Sequence, residues 1–523
     1  MAAYSSDFPS VASLFAGNPA DPDAWTQTIA RVQKAPRDRA GLTKVIAAQL
    51  ERRNAPKHAR AAATRLADAT TVAVVTGQQA GLFGGPLYTL LKAVTAIQLA
   101  RKVSAAHGIA AIPIFWVEAE DHDWDEVRTA RVLDADLALR DITLDDLEGA
   151  GARPVASLVI DEGIGDALGA LEAALPDTEF KDDLLARLRA HYRPGQRMGT
   201  AFACWLDDLL GRYGLVVFEA ADPAAKPLAG ALFTRELDAP CRTTHFAKEA
   251  GEAMRALGHD PQVQPADDSV ALFYMGDGER HSIKRRDEGY ALGETVRPAA
   301  EVQAEAAAHP ERFSPNVLLR PVVQDHLFPT VCYVAGPSEL AYQAQLGAIY
   351  KDFGVEVPLL YPRANATVLD AAAVRFLEKY HLPFEALQPH DESALNRLLE
   401  SQLPPGVEDA LHAAAEEIRV RLEVLKAAMP AIDPTLVGAA DTTLERMQDT
   451  LKHLHTKIIH ASKRKDETLR RQYTRTQALA FPEGHPQERI VDLAFFLNRY
   501  GQALCDRLID GLPLDMGQHY VVT

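Results

Sequence analysis

Cysteine is scarce in this chain. Cys204, Cys241, Cys332 and Cys505 are spread over 523 positions with no CxxC pair. That spacing excludes a disulfide-stapled scaffold and a Cys-rich structural zinc site, and it fits a reducing compartment in which each thiol is a small buried apolar group. Basic residues are outnumbered, 55 Lys and Arg against 72 Asp and Glu, for a net charge of −17. A duplex nucleic-acid surface needs a concentrated basic face, so a nucleic-acid partner is not expected, although local arginines can still hold a small anion. No apolar run approaches the ~20 residues of a membrane span. The start of the chain, with Asp7, Pro9, Pro19 and Pro22, lacks the basic and apolar regions of a secretory signal. The expectation is a cytoplasmic protein with no membrane association.

Familiar signatures are missing too. There is no GxxxxGK[ST], because the residue five after Gly77 is Leu82 and the one five after Gly81 is Pro86. Neither a GxG at this turn nor a GxSxG elbow is present, which removes the common dinucleotide and Ser-His-Asp readings.

What the chain has instead is one dense stretch, residues 71–126. Val72–Val75 has the β-branched content of a buried parallel strand, predicted to stop at Thr76-Gly77. Gly77, Gly81, Gly84 and Gly85 then allow a ligand close to backbone amides, and Pro86 suits a first helical turn. Leu87, Leu90, Leu91, Val94 and Ile97 recur at helical spacing, so the helix N-terminus, with its unsatisfied amides, faces the glycines. A tight turn with no ligand would look similar. Gln78 and Gln79 shift the balance towards a polar ligand, and Lys92, two turns on, either reaches an anion or runs out to solvent.

The second strand, Ile112–Val117, ends in Glu118, Glu120, Asp121, His122, Asp123, Asp125 and Glu126. In an open parallel sheet this cluster and the glycine turn share the carboxyl edge, where ligands bind. Neighbours in an extended chain point to opposite faces, so the spacing argues against a closed zinc site. A Mg²⁺ ion shared with nucleotide phosphates needs one or two carboxylates and remains open. Asp121, His122 and Asp123 are the candidate catalytic groups, His122 as general acid or base or as the orienting partner of Asp121. The plain alternative is an acid-rich helix start.

Residues 23–68 read as helical, and 127–160 as an antiparallel excursion. Helices over 167–188 and 201–213 lead to a strand over 215–218, and a small meander spans 271–292. The first pattern then returns. Pro329–Val334 reads as a strand ending at Gly336-Pro337-Ser338-Glu339, with a helix carrying Tyr342, Leu346, Ile349 and Phe353 behind it, and Val357–Tyr361 as a strand ending at Arg363. This alternation predicts an α/β fold, a Rossmann-like doubly wound parallel sheet with inserted segments. Arg320 and Arg363 could each fork onto a carboxylate or phosphate, or onto a structural acid. Leu411, Ala415, Ile418, Leu422, Leu425 and Met429 follow heptad spacing, as do Leu444, Met447, Leu451, Leu454, Ile458 and Ala461, with Pro430 and Pro434 between. That predicts an antiparallel coiled-coil hairpin of the kind that joins subunits. The expected division is a core over 1–385, a coiled-coil domain over 386–475 and a C-terminal helical segment over 476–523 that packs back on the core.

Several motifs in order carry a resemblance: TGQQAGLFGGPLY from Thr76, with Tyr88 and Lys92; EDHD from Glu120; HPERFSPNVLLRP from His309, with Arg320 and Gln324; AGPSELAY from Ala335, with Gly336, Glu339 and Tyr342; Pro362-Arg363; and LNRYG from Leu497. Over nearly its whole length the chain resembles the BshC family, assigned to cysteine addition in bacillithiol synthesis. The resemblance implies a Rossmann-like core, a coiled-coil arm that pairs subunits into a homodimer, and an amide-forming ligase using cysteine and glucosaminyl-malate. It also implies nucleotide binding, with ATP or a related nucleotide activating the carboxylate and Mg²⁺ as its companion. Gly77, Gln78, Gln79, Gly81, Gly84, Gly85, Tyr88, Lys92, Glu120, Arg320, Gln324, Gly336, Glu339, Tyr342 and Arg363 become candidate substrate or nucleotide contacts. Two rival readings are a ligase or transferase for another amine and a non-enzymatic coiled-coil scaffold.

Overall fold

The computed structural model describes residues 2–389, 391–403, 406–465 and 467–523. The chain forms two compact units, one of residues 1–367 with 488–522 and one of residues 368–487.

The first unit is built on five parallel strands, in spatial order Leu359–Pro362, Thr330–Ala335, Val72–Gln79, Ala111–Glu118 and Val216–Glu219. Counted along the chain from the far edge, that is third, second, first, fourth, fifth. The order reverses between the first strand and Thr330–Ala335, which defines a switch point where loops from the two halves diverge and leave a crevice. The doubly wound expectation is therefore borne out. Val72, Val74 and Val75 are fully buried, as a central strand covered on both faces requires.

The first strand does not stop at Thr76-Gly77. It pairs with its neighbour through Gly77↔Trp116 and Gln78↔Val117 to Gln79↔Glu118, because the ladder outweighs the weak strand propensity of one glycine. The helix Leu87–His107 follows and is buried along most of its length, Lys92 included. The single helix predicted behind Thr330–Ala335 is two, Pro337–Gln343 and Gly347–Phe353. Between them the buried Gln345 side chain accepts from the Gln262 and Val263 amides and donates to the Val263 and Ala247 carbonyls. Two antiparallel insertions leave the core, the pair Thr129–Leu133 with Leu139–Thr143 and a five-stranded meander that includes Ser269–Gly276 and Glu279–Arg286.

In the second unit the helices Val407–Ala428 and Leu436–Lys465 run antiparallel around the turn at Met429–Ala431. Lys426 bonds Asp441 near the turn and His455 bonds Glu408 near the open end, at 2.5 and 2.9 Å. No residue of Val407–Ala428 is buried, and Val424, Leu425, Met447 and Leu454 are exposed. Among the described residues, no helix is long and apolar enough to cross a membrane.

Candidate functional site

At the switch point lies a crevice of about 400 Å³. Gly77, Gln78 and Gln79 enter it from the end of the first strand, and Gly336 and Glu339 from the loop and helix after Thr330–Ala335. Tyr88 and Lys92 come from the helix behind the glycine turn, and Arg320, Gln324, Tyr342 and Arg363 line the crevice too, whereas the predicted Gly81, Gly84, Gly85 and Glu120 do not. Trp116, Glu118, Glu126 and Arg489 also line it. Gly77 is required by packing, since a Cβ there would stand 2.8 Å from the Trp116 carbonyl oxygen on the paired strand.

Most charges in the crevice are tied in pairs. Lys92, 3% exposed, donates to the Gly77 carbonyl at 2.8 Å and Gln78 Oε1 at 2.9 Å, and pairs with Glu339 Oε2 at 2.5 Å. Burial lowers the Lys92 pKa and Glu339 opposes that shift. Glu339 also accepts from the Tyr333 hydroxyl at 2.6 Å and the Gly336 amide at 2.7 Å. Arg320 Nε lies 2.8 Å from Glu118 Oε2, yet its N–H finds no aligned acceptor, so the contact is an ion pair and not a good hydrogen bond. Arg363, 4% exposed, donates to Glu488 Oε1 at 2.7 Å and to the Ala364 carbonyl at 3.0 Å, with its guanidinium 5.6 Å from the centre of the Tyr88 ring. Arg489 makes no ion pair among the described residues and stands exposed at the edge. Gln324 donates to Asp325 at 3.1 Å, and burial raises the Tyr342 hydroxyl above its ordinary pKa.

The acidic cluster divides. Glu118 and Glu126 reach the crevice, whereas Glu120, Asp121, His122 and Asp123 are not among its lining residues. Glu120 is 2% exposed and paired with Lys226; burial raises its pKa against that pairing. Burial would raise Asp121 too, but Arg280, 3.0 Å away on the meander, holds it below the usual carboxylate range. His122 Nδ1 lies 3.4 Å from the same guanidinium. Asp123 caps the short helix Trp124–Val127 by accepting from the Glu126 amide. The strand ends at Glu118, and the chain then turns so that Glu120 meets Lys226 of the segment Pro223–Ala229 and Asp121 meets Arg280 of the meander. The glycines divide as well. Gly81 and Gly85 line a smaller adjoining chamber, and Gly84, with φ 106°, packs against the Trp205 indole.

Arg489 and Glu488 were missed in the sequence, as was Asp492 beside the smaller chamber, because they lie about 400 residues beyond the glycine turn in a tail with no motif of its own. Glu118 and Glu126 were visible as acids but not distinguishable from their neighbours. Among the described residues no group of three or more His, Cys, Asp or Glu is placed to hold a metal. In the crevice Glu118 and Glu339 already face cations, leaving Glu126 as the lining carboxylate without one. That donor set fits a Mg²⁺ ion held by one carboxylate and substrate phosphates better than an all-protein cage.

The fold and crevice define a doubly wound α/β protein with a crevice lined by charged side chains at its switch point. Family models place it further. Residues 1–364 match the description "Bacillithiol biosynthesis BshC, N-terminal Rossmann-like domain" and residues 366–523 match "Bacillithiol biosynthesis BshC, C-terminal coiled-coil domain". The chain belongs to the BshC family. A relative from Salinibacter ruber named "Putative cysteine ligase BshC" is 34% identical over 99% of this chain and 95% of its own length. Relatives of the same name from Koribacter versatilis and Solibacter usitatus are 34% identical over 84% of this chain and 81% of the relative, and 30% identical over 99% and 98%.

Proposed function

We propose that the protein is a cytoplasmic ligase that joins the amine of cysteine to the malyl carboxylate of glucosaminyl-malate, with ATP or a related nucleotide as cosubstrate. The observation that carries this reading is the crevice itself. Lys92, Arg320, Arg363 and Arg489 surround it in a chain of net charge −17, and Arg489 has no ion-pair partner among the described residues. Lys92, Arg320 and Arg363 are held by Glu339, Glu118 and Glu488, which leaves Arg489, unpaired among the described residues, as the lining cation for an anionic substrate.

Amide formation from a carboxylate is uphill in water, and a bound nucleotide supplies the driving force by activating that carboxylate. The chain's own residues bind and orient. Arg489 and the part of the Arg320 guanidinium not engaged with Glu118 neutralise carboxylate or phosphate charge as it gathers. Arg363, held by Glu488, fixes the Tyr88 ring. Lys92 locks the end of the first strand to the helix after Thr330–Ala335, so the two walls keep their spacing. Glu126 is the lining carboxylate available to Mg²⁺. The exposed apolar side chains of the hairpin supply the surface on which two copies pair into a homodimer.

The test is direct. Purified protein supplied with glucosaminyl-malate, cysteine, ATP and Mg²⁺ is expected to form the amide-linked thiol, detected by mass spectrometry. No product with any nucleotide or metal would overturn the reading, and product with a different amine would move it to another substrate.

A further inference from the structure

Beside the crevice, sharing its Gln78, Gln79 and Tyr88 wall, lies the smaller chamber of about 210 Å³. Three oxygens belonging to its lining residues, Thr89 Oγ1, Asp492 Oδ2 and Gln79 Oε1, are shielded from solvent and have no hydrogen-bond partner. Thr89 is fully buried and Asp492 is 1% exposed. Asp492 Oδ1 is already used, accepting from the Ala494 amide at 2.8 Å to cap the helix Leu493–Tyr500, so Oδ2 is the oxygen left over. No Lys, Arg or His pairs with Asp492 among the described residues, and burial drives its pKa well above the carboxylate range, so the acid by itself favours its protonated form and a cation bound there would draw that proton off. Glu126, hydrogen-bonded by Gln79, and Arg489 line both the crevice and the chamber, and the other arginine lining the chamber, Arg131, is paired with Asp141. The bond to Glu126 takes up the Gln79 amide nitrogen and leaves its oxygen over.

A buried acceptor without a donor is costly, and native proteins rarely keep one unless something else satisfies it. Here three belong to residues that line one chamber, and one of these is a buried acid with no ion-pair partner among the described residues. The group that matches is a primary ammonium, which carries three donors, one positive charge and no acceptor. The chamber is smaller than the ~300–1,000 Å³ of sites for drug-sized ligands, which suits an amino acid and not a nucleotide. It opens beside the crevice in which the partner carboxylate would sit.

We propose that this chamber holds the ammonium end of the amino-acid substrate, with Asp492 Oδ2, Thr89 Oγ1 and Gln79 Oε1 as its acceptors. The identity of that amino acid as cysteine rests on the ligase reading above; the chamber's preference for an amine does not.

The test is calorimetric titration of the full-length protein with L-cysteine, L-serine and 3-mercaptopropionate, which keeps the thiol and carboxylate of cysteine but lacks the amine. L-Cysteine is expected to bind at least tenfold more tightly than the desamino compound. Asp492→Asn keeps the capping oxygen and should weaken amine binding about 10- to 100-fold, the loss of one charge-assisted contact, while the melting temperature and affinity for glucosaminyl-malate hold. Thr89→Val should act in the same direction. Equal binding of the desamino compound, no amine binding at all, or amine binding indifferent to both substitutions would overturn the proposal. If an amine other than cysteine binds in an Asp492-dependent way, the chamber assignment stands and the cysteine reading fails.

Discussion

Lys92→Met removes the ammonium that ties the glycine turn to Glu339 and leaves a stem of similar volume. Three acceptors lose their donor: Glu339 Oε2, the Gly77 carbonyl and Gln78 Oε1. The charged contact is worth ~1.5–3 kcal/mol and stranded dry oxygens add ~1–3 kcal/mol. Relief of the buried ammonium's desolvation offsets part of this, and Glu339 keeps its Tyr333 and Gly336 donors. A net loss of about 2–4 kcal/mol follows. The double variant Lys92→Met with Glu339→Gln should lose less than the sum of the single variants, by ~1–3 kcal/mol, because neither charge is then left alone. All four tryptophans, Trp25, Trp116, Trp124 and Trp205, lie in the first unit, so denaturant unfolding followed by tryptophan fluorescence reports the unit that contains the contact. The pH dependence has a definite sign. Burial lowers the folded pKa of Lys92 below its ordinary 10.5, so the unfolded chain binds the proton more tightly and the native protein gains stability as pH rises towards 10.5. Lys92→Met lacks that slope. Additivity of the two substitutions within ~0.5 kcal/mol would refute the coupling.

Glu488→Ala strands the buried Arg363 guanidinium and removes the acceptor of the Ala366 amide, with an expected loss of ~3–5 kcal/mol in the same unfolding measurement and a smaller one for Glu488→Gln. Gly77→Ala drives a Cβ to 2.8 Å from the Trp116 carbonyl, costing ~1–3 kcal/mol and distorting the crevice wall, to be read as lower stability together with weaker substrate binding. Glu236, 2% exposed, accepts from the Ala271 amide and the Thr243 hydroxyl, and burial raises its pKa from 4.5 to about 7. The folded chain holds that proton more tightly than the unfolded one, so stability falls by roughly 3 kcal/mol between pH 4.5 and 7, and stability-versus-pH curves of Glu236→Gln should lack that fall.

The sheet was legible where local pattern and tertiary context agree. Four consecutive buried residues at Val72–Val75, a glycine turn and an apolar helix specify one unit of a parallel sheet, and its return at Thr330–Ala335 implies a doubly wound order. The end of the first strand was misplaced because Gly77 reads as punctuation locally, while its partner Trp116, 39 positions later, keeps the ladder going. The helix break near Gln345 depends on an inward amide that meets two separate backbone segments, at Ala247 and at Gln262-Val263, which no periodicity reveals.

The candidate site was half legible. Glycines, glutamines and a lysine following a strand mark a crevice wall by themselves, and Gly77, Gln78, Gln79 and Lys92 lie on it. Composition could not say which of six clustered acids face inward, since that follows from where the strand ends and from which segments supply Arg280 and Lys226. Arg489 and Asp492 reach the crevice and its side chamber by chain return over some 400 residues, a contact written in tertiary packing and not in spacing.

The most direct test of the central claim is a crystal structure of the protein with glucosaminyl-malate. The account predicts the malyl carboxylate in the crevice between the ends of Val72–Gln79 and Thr330–Ala335, within hydrogen-bond distance of Arg320 or Arg489. Ligand bound elsewhere, with that crevice vacant at saturating concentration, would contradict it.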